Sequence, residues 1–97
     1  TGTSGHRFRS YREAIKMAKS GQYKKVYLNR GYNQITGQKV LPNRRPDVVG
    51  VRKTGEVDVV EVPSKTDRTD DLIQRNIDAQ RQLPSRMRGN VDIVEIL

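Results

Sequence analysis

Apolar residues recur at helical spacing near the start of the chain. This stripe follows Ser10 and predicts a helix over residues 11–20. Ser10 and Glu13 have the spacing of a capping box, in which Ser10 is the N-cap and Glu13 is the third helical residue. The preceding residues, 1–9, begin with Thr, Gly and Ser and resemble a linker. We therefore expect the folded domain to occupy residues 10–97.

Two valine-rich segments in the middle of the chain, residues 46–51 and 57–62, predict a β-hairpin. The turn between them decides which residues pair. If residues 53–55 form a three-residue loop with its glycine last, Asp47 lies opposite Glu61. A two-residue loop would place the two acids on opposite faces, but it requires a positive φ that threonine disfavours. We therefore expect both carboxylates to meet on one face of the sheet.

The remaining elements complete an α/β pattern. A strand is expected from Val26, and the polar, basic residues 31–44 are expected to form a long loop. The acidic segment 67–71 is typical of the start of a helix, which Pro84 would end. Residues 91–97 alternate between apolar and polar and predict a last strand. The predicted order is αβββαβ, which is a single α/β domain with a mixed sheet flanked by helices.

The composition excludes several classes of protein. A chain of 97 residues forms one small domain with a limited core. The absence of cysteine excludes disulfide scaffolds, cysteine zinc sites and thiol catalysis. No run approaches the roughly 18 apolar residues of a membrane span, so no span is expected. The only histidine, His6, receives no role from the sequence.

The charge is distributed unevenly along the chain, whose formal net charge is +8. Residues 1–45 contain eleven basic residues and one acidic residue, whereas residues 46–97 contain eight basic and ten acidic residues. A strongly basic half favours a polyanionic partner, and nucleic acid is the commonest one. The sequence therefore indicates a nucleic-acid partner for the first half and places the acids among apolar strands in the second.

The expected pairing of Asp47 with Glu61 raises a question of charge. Two facing carboxylates in an apolar sheet repel each other, so something must compensate for them. Mg²⁺ is the simplest choice, because it takes one or two protein carboxylates and binds phosphate, with Mn²⁺ or Zn²⁺ as alternatives. Such a site is suited to phosphodiester hydrolysis. Alternatively, the acids lie solvated at the sheet edge or pair with Arg44 and Arg45.

The residues around these acids resemble a known superfamily. Residues 45–47, with the sequence Arg-Pro-Asp, are followed by a hairpin and then Glu61, which resembles the PD-(D/E)XK nuclease motif. The αβββαβ order is similar to the common core of that superfamily. The longer segments 42–48 and 61–65 resemble the C-terminal nuclease toxin domains of contact-dependent inhibition and Rhs-type polymorphic toxins.

This resemblance implies a metal-dependent nuclease toxin. Such a domain is delivered as the C-terminus of a larger secreted or surface-bound protein and acts in the cytoplasm of a target bacterium. A producing cell then needs a cognate immunity protein, which we expect to be acidic because this domain is basic. DNA is slightly favoured over tRNA as substrate, since no RNA-binding signature is present. The alternatives are a non-catalytic nucleic-acid-binding module and a degenerate nuclease fold used for protein–protein contacts.

The resemblance also implies roles for individual residues. Asp47 and Glu61 would be metal ligands, and the backbone carbonyl of Val62 would complete the site. The superfamily places a catalytic lysine two residues after the second acid, where this chain has Pro63. Lys65 is the natural substitute if the strand continues, because it would lie on the same face one step of about 6.6 Å further along. The alternative is that Lys65 is a solvated residue.

Further candidates surround this core motif. Some members of the superfamily place a glutamate of the first helix beside the metal, which makes Glu13 a candidate ligand, but we favour the capping box as its explanation. Ser64, Asn76 and Gln80 are candidates for contacting the substrate or the waters of the metal. The tyrosines could stack on bases or simply pack in the fold. The candidate nucleic-acid contacts are the basic residues Lys24, Lys25, Arg30, Arg44 and Arg45.

Overall fold

The structure is a computed structural model and describes residues 4–64 and 67–94. One four-stranded sheet has the order β1-β2-β3-β4. Its first three strands are antiparallel neighbours, and β4 runs parallel to β3, so the predicted mixed sheet is confirmed. The strands are β1 (Tyr23–Leu28), β2 (Val48–Arg52), β3 (Val57–Glu61) and β4 (Arg88–Ile93).

Helices cover both faces of the sheet. The helices are α1 (Ser4–Lys19), α2 (Tyr32–Thr36) and α3 (Thr69–Arg81), and a 3₁₀ turn spans Ser85–Met87. On one face, Ala14 and Met17 of α1 pack against β2 and β3. On the other, Tyr32 of α2 and Ala79 of α3 pack against valines from the same two strands. Because side chains along β2 and β3 alternate between the two faces of the sheet, these strands contribute residues to two separate core clusters. None of the described helices has the length and apolarity needed to cross a membrane.

The first helix begins at Ser4, well before the predicted start at residue 11. Ser10 therefore lies inside the helix, where it is buried and its hydroxyl has no hydrogen-bond partner. The Glu13 carboxylate lies 3.5 Å from Arg9, one helical turn earlier, instead of reaching back to an N-cap. The predicted capping box is wrong, and the expected linker is helical from residue 4 onward. The spacing of Ser10 and Glu13 matches a capping box. However, the side of α1 that carries Ser10 is packed against the sheet, and the helix continues beyond it to Ser4.

The long loop expected over residues 31–44 contains helix α2. Its Tyr32 is fully buried in the core, which anchors the segment to the sheet. The Gly31 amide donates to the side chain of Gln34, and Gly37 ends the helix with a φ of +72°. Val40 is buried in the same core cluster and Ile35 packs against it, so the segment is folded onto the sheet. The first strand also begins earlier than expected, at Tyr23.

The predicted hairpin register is confirmed. Val51 pairs with Val57 and Val49 pairs with Val59. The amide of Arg52 donates to the carbonyl of Glu56 at 2.8 Å. Gly55 has a φ of +105°, as the final position of a three-residue loop with a G1 bulge requires.

The second half follows the prediction with shifted boundaries. Helix α3 ends at Arg81, before Pro84, as expected. The last strand spans Arg88–Ile93, earlier than the predicted 91–97, and residues 95–97 lie outside the described residues. A side chain at Gly89 would collide with the Val57 carbonyl. The glycine therefore allows the start of β4 to lie close against β3.

Candidate active site

Asp47 and Glu61 lie side by side at one end of the sheet. Asp47 directly precedes β2, and Glu61 is the last residue of β3. The Asp47 amide donates to Glu61 Oε1 at 2.9 Å, and the Val62 amide donates to Asp47 Oδ2 at 2.8 Å. Each carboxylate is thus held by the backbone of the opposite strand. The hairpin register brings the two acids together on one face, as the turn predicted.

Helix α3 and helix α2 fix the orientation of the Glu61 carboxylate. Asn76 Nδ2 donates to Glu61 Oε2 at 2.8 Å and also to the Leu72 carbonyl at 2.9 Å. The Tyr32 hydroxyl donates to Asn76 Oδ1 at 2.9 Å. Because Asn76 Oδ1 accepts from the tyrosine, its Nδ2 must face the carboxylate. Burial raises the pKa of Tyr32, so its hydroxyl keeps the proton that it donates.

The site carries a negative charge that its protein neighbours only partly offset. Glu61 is 8% exposed, and burial raises its pKa to about 7. The hydrogen bonds from Asn76 and from the Asp47 amide lower that pKa, whereas the nearby Asp47 charge raises it further. In residues 4–64 and 67–94, no lysine or arginine forms an ion pair with Glu61. A buried acid without a cationic partner is unfavourable and is typical of functional sites.

Helix α1 contributes a histidine that the sequence did not point to. His6 Nε2 lies 3.5 Å from Asp47 Oδ1. This contact exists because α1 begins at Ser4, so its first turn reaches the end of the sheet where Asp47 lies. His6 lies within residues 1–9, which were expected to form a linker, so it was not predicted as a site residue. The only sequence signal was that the chain has a single histidine.

The two acids line a cavity of about 360 Å³ with a basic rim. Arg44 and Arg45 come from the loop before β2, and Arg75 comes from α3. The Arg45 guanidinium donates to the Asn29 carbonyl at 3.2 Å. Three guanidinium groups beside two carboxylates create a surface that can bind a phosphate while it faces the acids. The other lining residues are His6, Asn43, Asp67, Leu72 and Asn76.

Some of the predicted site residues lie elsewhere. Glu13 does not line this cavity and pairs with Arg9 on α1, where both side chains are partly buried. Gln80 donates to the Val57 carbonyl at 2.9 Å and accepts from the Gly89 amide at 3.1 Å. Gln80 therefore joins β3 to β4 and is a structural residue. The Ser64 hydroxyl donates to Asp67, a residue of the cavity lining, at 3.0 Å.

The candidate nucleic-acid contacts lie in three separate places. Arg44 and Arg45 line the cavity with the acids. Lys24 and Lys25 lie near the other end of β1, where Lys25 pairs with Val51. Arg30 lies with its guanidinium 5.9 Å from the centre of the Tyr27 ring, while Tyr32 is buried and cannot stack on a base.

The substitute for the superfamily lysine remains a prediction. Lys65 lies outside the described residues, and Pro63 is the residue at the superfamily position. The Val62 amide binds Asp47, which keeps this residue beside the acids. The metal-binding role of its carbonyl also remains a prediction.

The chemistry of the acid pair fits a hard divalent cation. Glu61 Oε1 and Oε2 each accept one hydrogen bond, which leaves a lone pair on each oxygen. A cation would stabilise the charged form of Glu61, whose pKa is raised by burial and by the neighbouring Asp47 charge. No three His, Cys, Asp or Glu residues converge as a metal cluster in the described part of the chain. Mg²⁺ needs only one or two protein carboxylates, because waters and substrate phosphate complete its shell.

Comparisons of the chain with protein-family models, curated proteins and solved structures found no match. The geometry of the site therefore carries the functional argument.

Proposed function

We propose that the protein is a metal-dependent nuclease that hydrolyses phosphodiester bonds of nucleic acid at Asp47 and Glu61. One observation carries the proposal. Two acids from neighbouring strands meet at the mouth of a basic cavity, and the buried one, Glu61, has no cationic protein partner in the described residues. A divalent cation and a phosphate together balance such a set of charges.

Asp47 and Glu61 would hold the metal. When bound, a divalent cation supplies an activated water and stabilises negative charge on the phosphoryl group. Asn76 keeps the Glu61 oxygens turned toward Asp47, and Tyr32 keeps the Asn76 amide in that orientation. Such supporting hydrogen bonds tune ligand orientation and metal affinity.

The arginines would bind and orient the substrate. Arg44, Arg45 and Arg75 line the cavity from two sides, and guanidinium groups bind phosphate through paired N–H donors. Holding the phosphate between these groups and the acids places the scissile bond near the reacting water. Lys65 is the proposed source of an additional positive charge at the reacting phosphate.

The biological setting is proposed from the sequence motif and the charge. The domain would be a toxin carried at the C-terminus of a larger secreted or surface-delivered protein, acting in the cytoplasm of a target bacterium. Its formal net charge of +8 favours an acidic immunity protein with fast, salt-sensitive association. DNA is slightly preferred over tRNA as the substrate.

Metal binding separates this proposal from its rivals. A non-catalytic nucleic-acid-binding module would use the same basic residues, and a degenerate fold used for protein contacts would need neither metal nor nucleic acid. Only the nuclease requires a divalent cation at the Asp47–Glu61 pair.

The test is cleavage of plasmid DNA and of total tRNA with Mg²⁺, Mn²⁺, Zn²⁺ or chelator. We expect cleavage only with metal, and we expect Asp47→Ala and Glu61→Ala to abolish cleavage and metal-induced thermal stabilisation alike. Asp70→Asn is the matched control, because Asp70 is an exposed acid of α3 that does not line the cavity. Full activity in either alanine variant would remove the nuclease site from this pair.

A further inference from the structure

A second basic cavity lies on the same face of the sheet as the acid pair. It also measures about 360 Å³, and none of its lining residues is acidic. We call it the distal cavity. Its lining residues are Lys24, Lys25, Tyr27, Ile35, Thr36, Val51, Thr54, Gly55, Arg86 and Met87.

The floor of the distal cavity is apolar. Tyr27, Ile35 and Met87 are partly buried and pack against the core cluster that contains Tyr32 and Val49. The cavity is therefore the place where this core opens to solvent. An aromatic ring and two apolar side chains that remain partly exposed offer a surface on which a flat, apolar group can lie. Arg30 contacts the Tyr27 ring but does not line the cavity.

The mouth of the distal cavity is cationic. Lys24, Lys25 and Arg86 are exposed and form no ion pair within residues 4–64 and 67–94. Three unpaired cations around an apolar floor suit a ligand that has both a flat ring and a phosphate. A nucleotide unit has this combination.

The geometry connects the distal cavity to the acid pair. Lys25 of β1 pairs with Val51 of β2. Val51 follows Asp47 by four residues in the chain. At about 3.3 Å per residue, the two positions are roughly 13 Å apart along the strand. Side chains at alternate positions share a face, so Val51 and Asp47 lie on the same side of the sheet. The core cluster that contains Tyr32 and Val49 fills the sheet face between the two positions, so a nucleic-acid strand that occupies both cavities would run over α2.

We propose that the distal cavity binds an unpaired nucleotide of the substrate strand, with its base on Tyr27 and its phosphate at Lys24, Lys25 and Arg86. The proposal rests on the proposed nuclease function and narrows its substrate class to single-stranded or looped nucleic acid. A paired base stays stacked inside its duplex and cannot reach the apolar floor. A duplex is therefore expected to bind outside the distal cavity.

The test measures binding to three fluorescent 12-mers: a single strand, the corresponding duplex, and a strand of abasic nucleotides. Fluorescence anisotropy in chelator, with Asp47→Asn to prevent cleavage, reports the affinity of each. We expect the single strand to bind best. Tyr27→Leu should weaken single-strand binding roughly 5- to 150-fold, the range for loss of one base–aromatic stack, and leave abasic binding unchanged.

A charge variant and a matched control complete the experiment. Lys24→Gln/Lys25→Gln/Arg86→Gln should weaken single-strand binding at least tenfold more than duplex binding. Arg12→Gln/Lys16→Gln/Lys19→Gln removes the same charge from the exposed side of α1 and should weaken all three ligands equally. Equal losses for all ligands in the distal variants, or unchanged binding by Tyr27→Leu, would overturn the proposal.

Metal-dependent cleavage by the wild-type protein is measured in parallel. This measurement distinguishes failure of the nuclease proposal from failure of the distal-cavity proposal. Cleavage without discrimination between the 12-mers would refute the distal cavity and leave the nuclease standing. Discrimination without cleavage would retain the distal cavity as a binding site and refute the nuclease.

Discussion

Strand β3 carries two buried carboxylates, three residues apart, and the sheet separates them. Asp58 faces α1, where its carboxylate accepts from Arg52 Nε at 2.7 Å, from the Tyr23 hydroxyl at 2.7 Å and from the Asn90 amide at 2.9 Å. Glu61 faces the opposite side and accepts from an asparagine and a backbone amide, with a second acid beside it. Both are at least 90% buried.

The difference between the two acids is charge compensation. The Asp58 carboxylate has a guanidinium partner, and its hydrogen bond helps burial raise the pKa of Tyr23 to about 12, so the hydroxyl remains a donor. A buried charge is tolerated in a fold when it has a cationic partner and its hydrogen bonds are made, and removal of one partner is costly. Glu61 has hydrogen bonds but forms no ion pair with a lysine or arginine among the described residues, and burial raises its pKa. Burial of an acid therefore does not by itself indicate a site; missing compensation does.

The largest expected effect is the fall in the cleavage rate of the Glu61→Gln variant. Because Glu61 is a ligand of the proposed metal, loss of its charge should lower the rate at least about a thousandfold. Stability at pH 8 should change by less than about 1 kcal/mol, since one lost hydrogen bond is offset by relief of the repulsion with Asp47. Single-turnover cleavage and urea unfolding measure the two quantities. A variant that cleaves normally would make Glu61 a structural acid like Asp58.

Asp58→Asn should give the opposite result. The amide cannot satisfy Arg52, Tyr23 and the Asn90 amide together, so we expect a loss of about 2–4 kcal/mol in the free energy of unfolding. Cleavage per folded molecule should stay within a few-fold of wild type. Urea unfolding gives the folded fraction at which activity is compared. A large loss of cleavage by fully folded protein would contradict a purely structural role for Asp58.

The dependence of stability on pH should separate wild type from Glu61→Gln. The pKa of Glu61 is about 7 when folded and 4.5 at its ordinary value, so the folded protein binds more protons between these pH values. Stability therefore falls as pH rises through this window, and the contribution present below pH 4.5 is lost above pH 7. Relative to the variant, wild type in chelator should lose about 1–3 kcal/mol between pH 4.5 and 8.

Other groups also titrate in this range, so the difference between the two proteins is the relevant quantity. Urea unfolding at several pH values provides it. Parallel curves would mean that Glu61 ionises normally in the folded protein.

The smallest expected effect compares two tyrosines. Tyr32→Phe removes the donor that orients Asn76, and we expect cleavage to fall about tenfold, with a stability loss of about 1 kcal/mol. Tyr23→Phe removes the donor to Asp58 and should cost similar stability without affecting cleavage. Cleavage rates and unfolding curves of the two variants test this. Equal cleavage by both would mean that Asn76 keeps its orientation unaided.

The acid pair was predictable because local chemistry determines it. A glycine at the end of the loop over residues 53–55 sets the hairpin register, and that register places Asp47 opposite Glu61. The order of the strands and of the two main helices followed from patterns of a few residues. The turn and the alternation act over short stretches of chain, so their outcome can be derived from neighbouring residues alone.

The surroundings of the pair depended on contacts between distant segments. Asn76 and Gln80 are one helical turn apart at the edge of the same apolar stripe, and their sequence context does not distinguish them. Packing of α3 on the sheet directs Asn76 to Glu61 and Gln80 to the backbone of β3 and β4. His6 reached Asp47 only because α1 extends beyond its apparent cap. Helix rotation and helix extent are decided by burial against the sheet, which short sequence patterns do not encode.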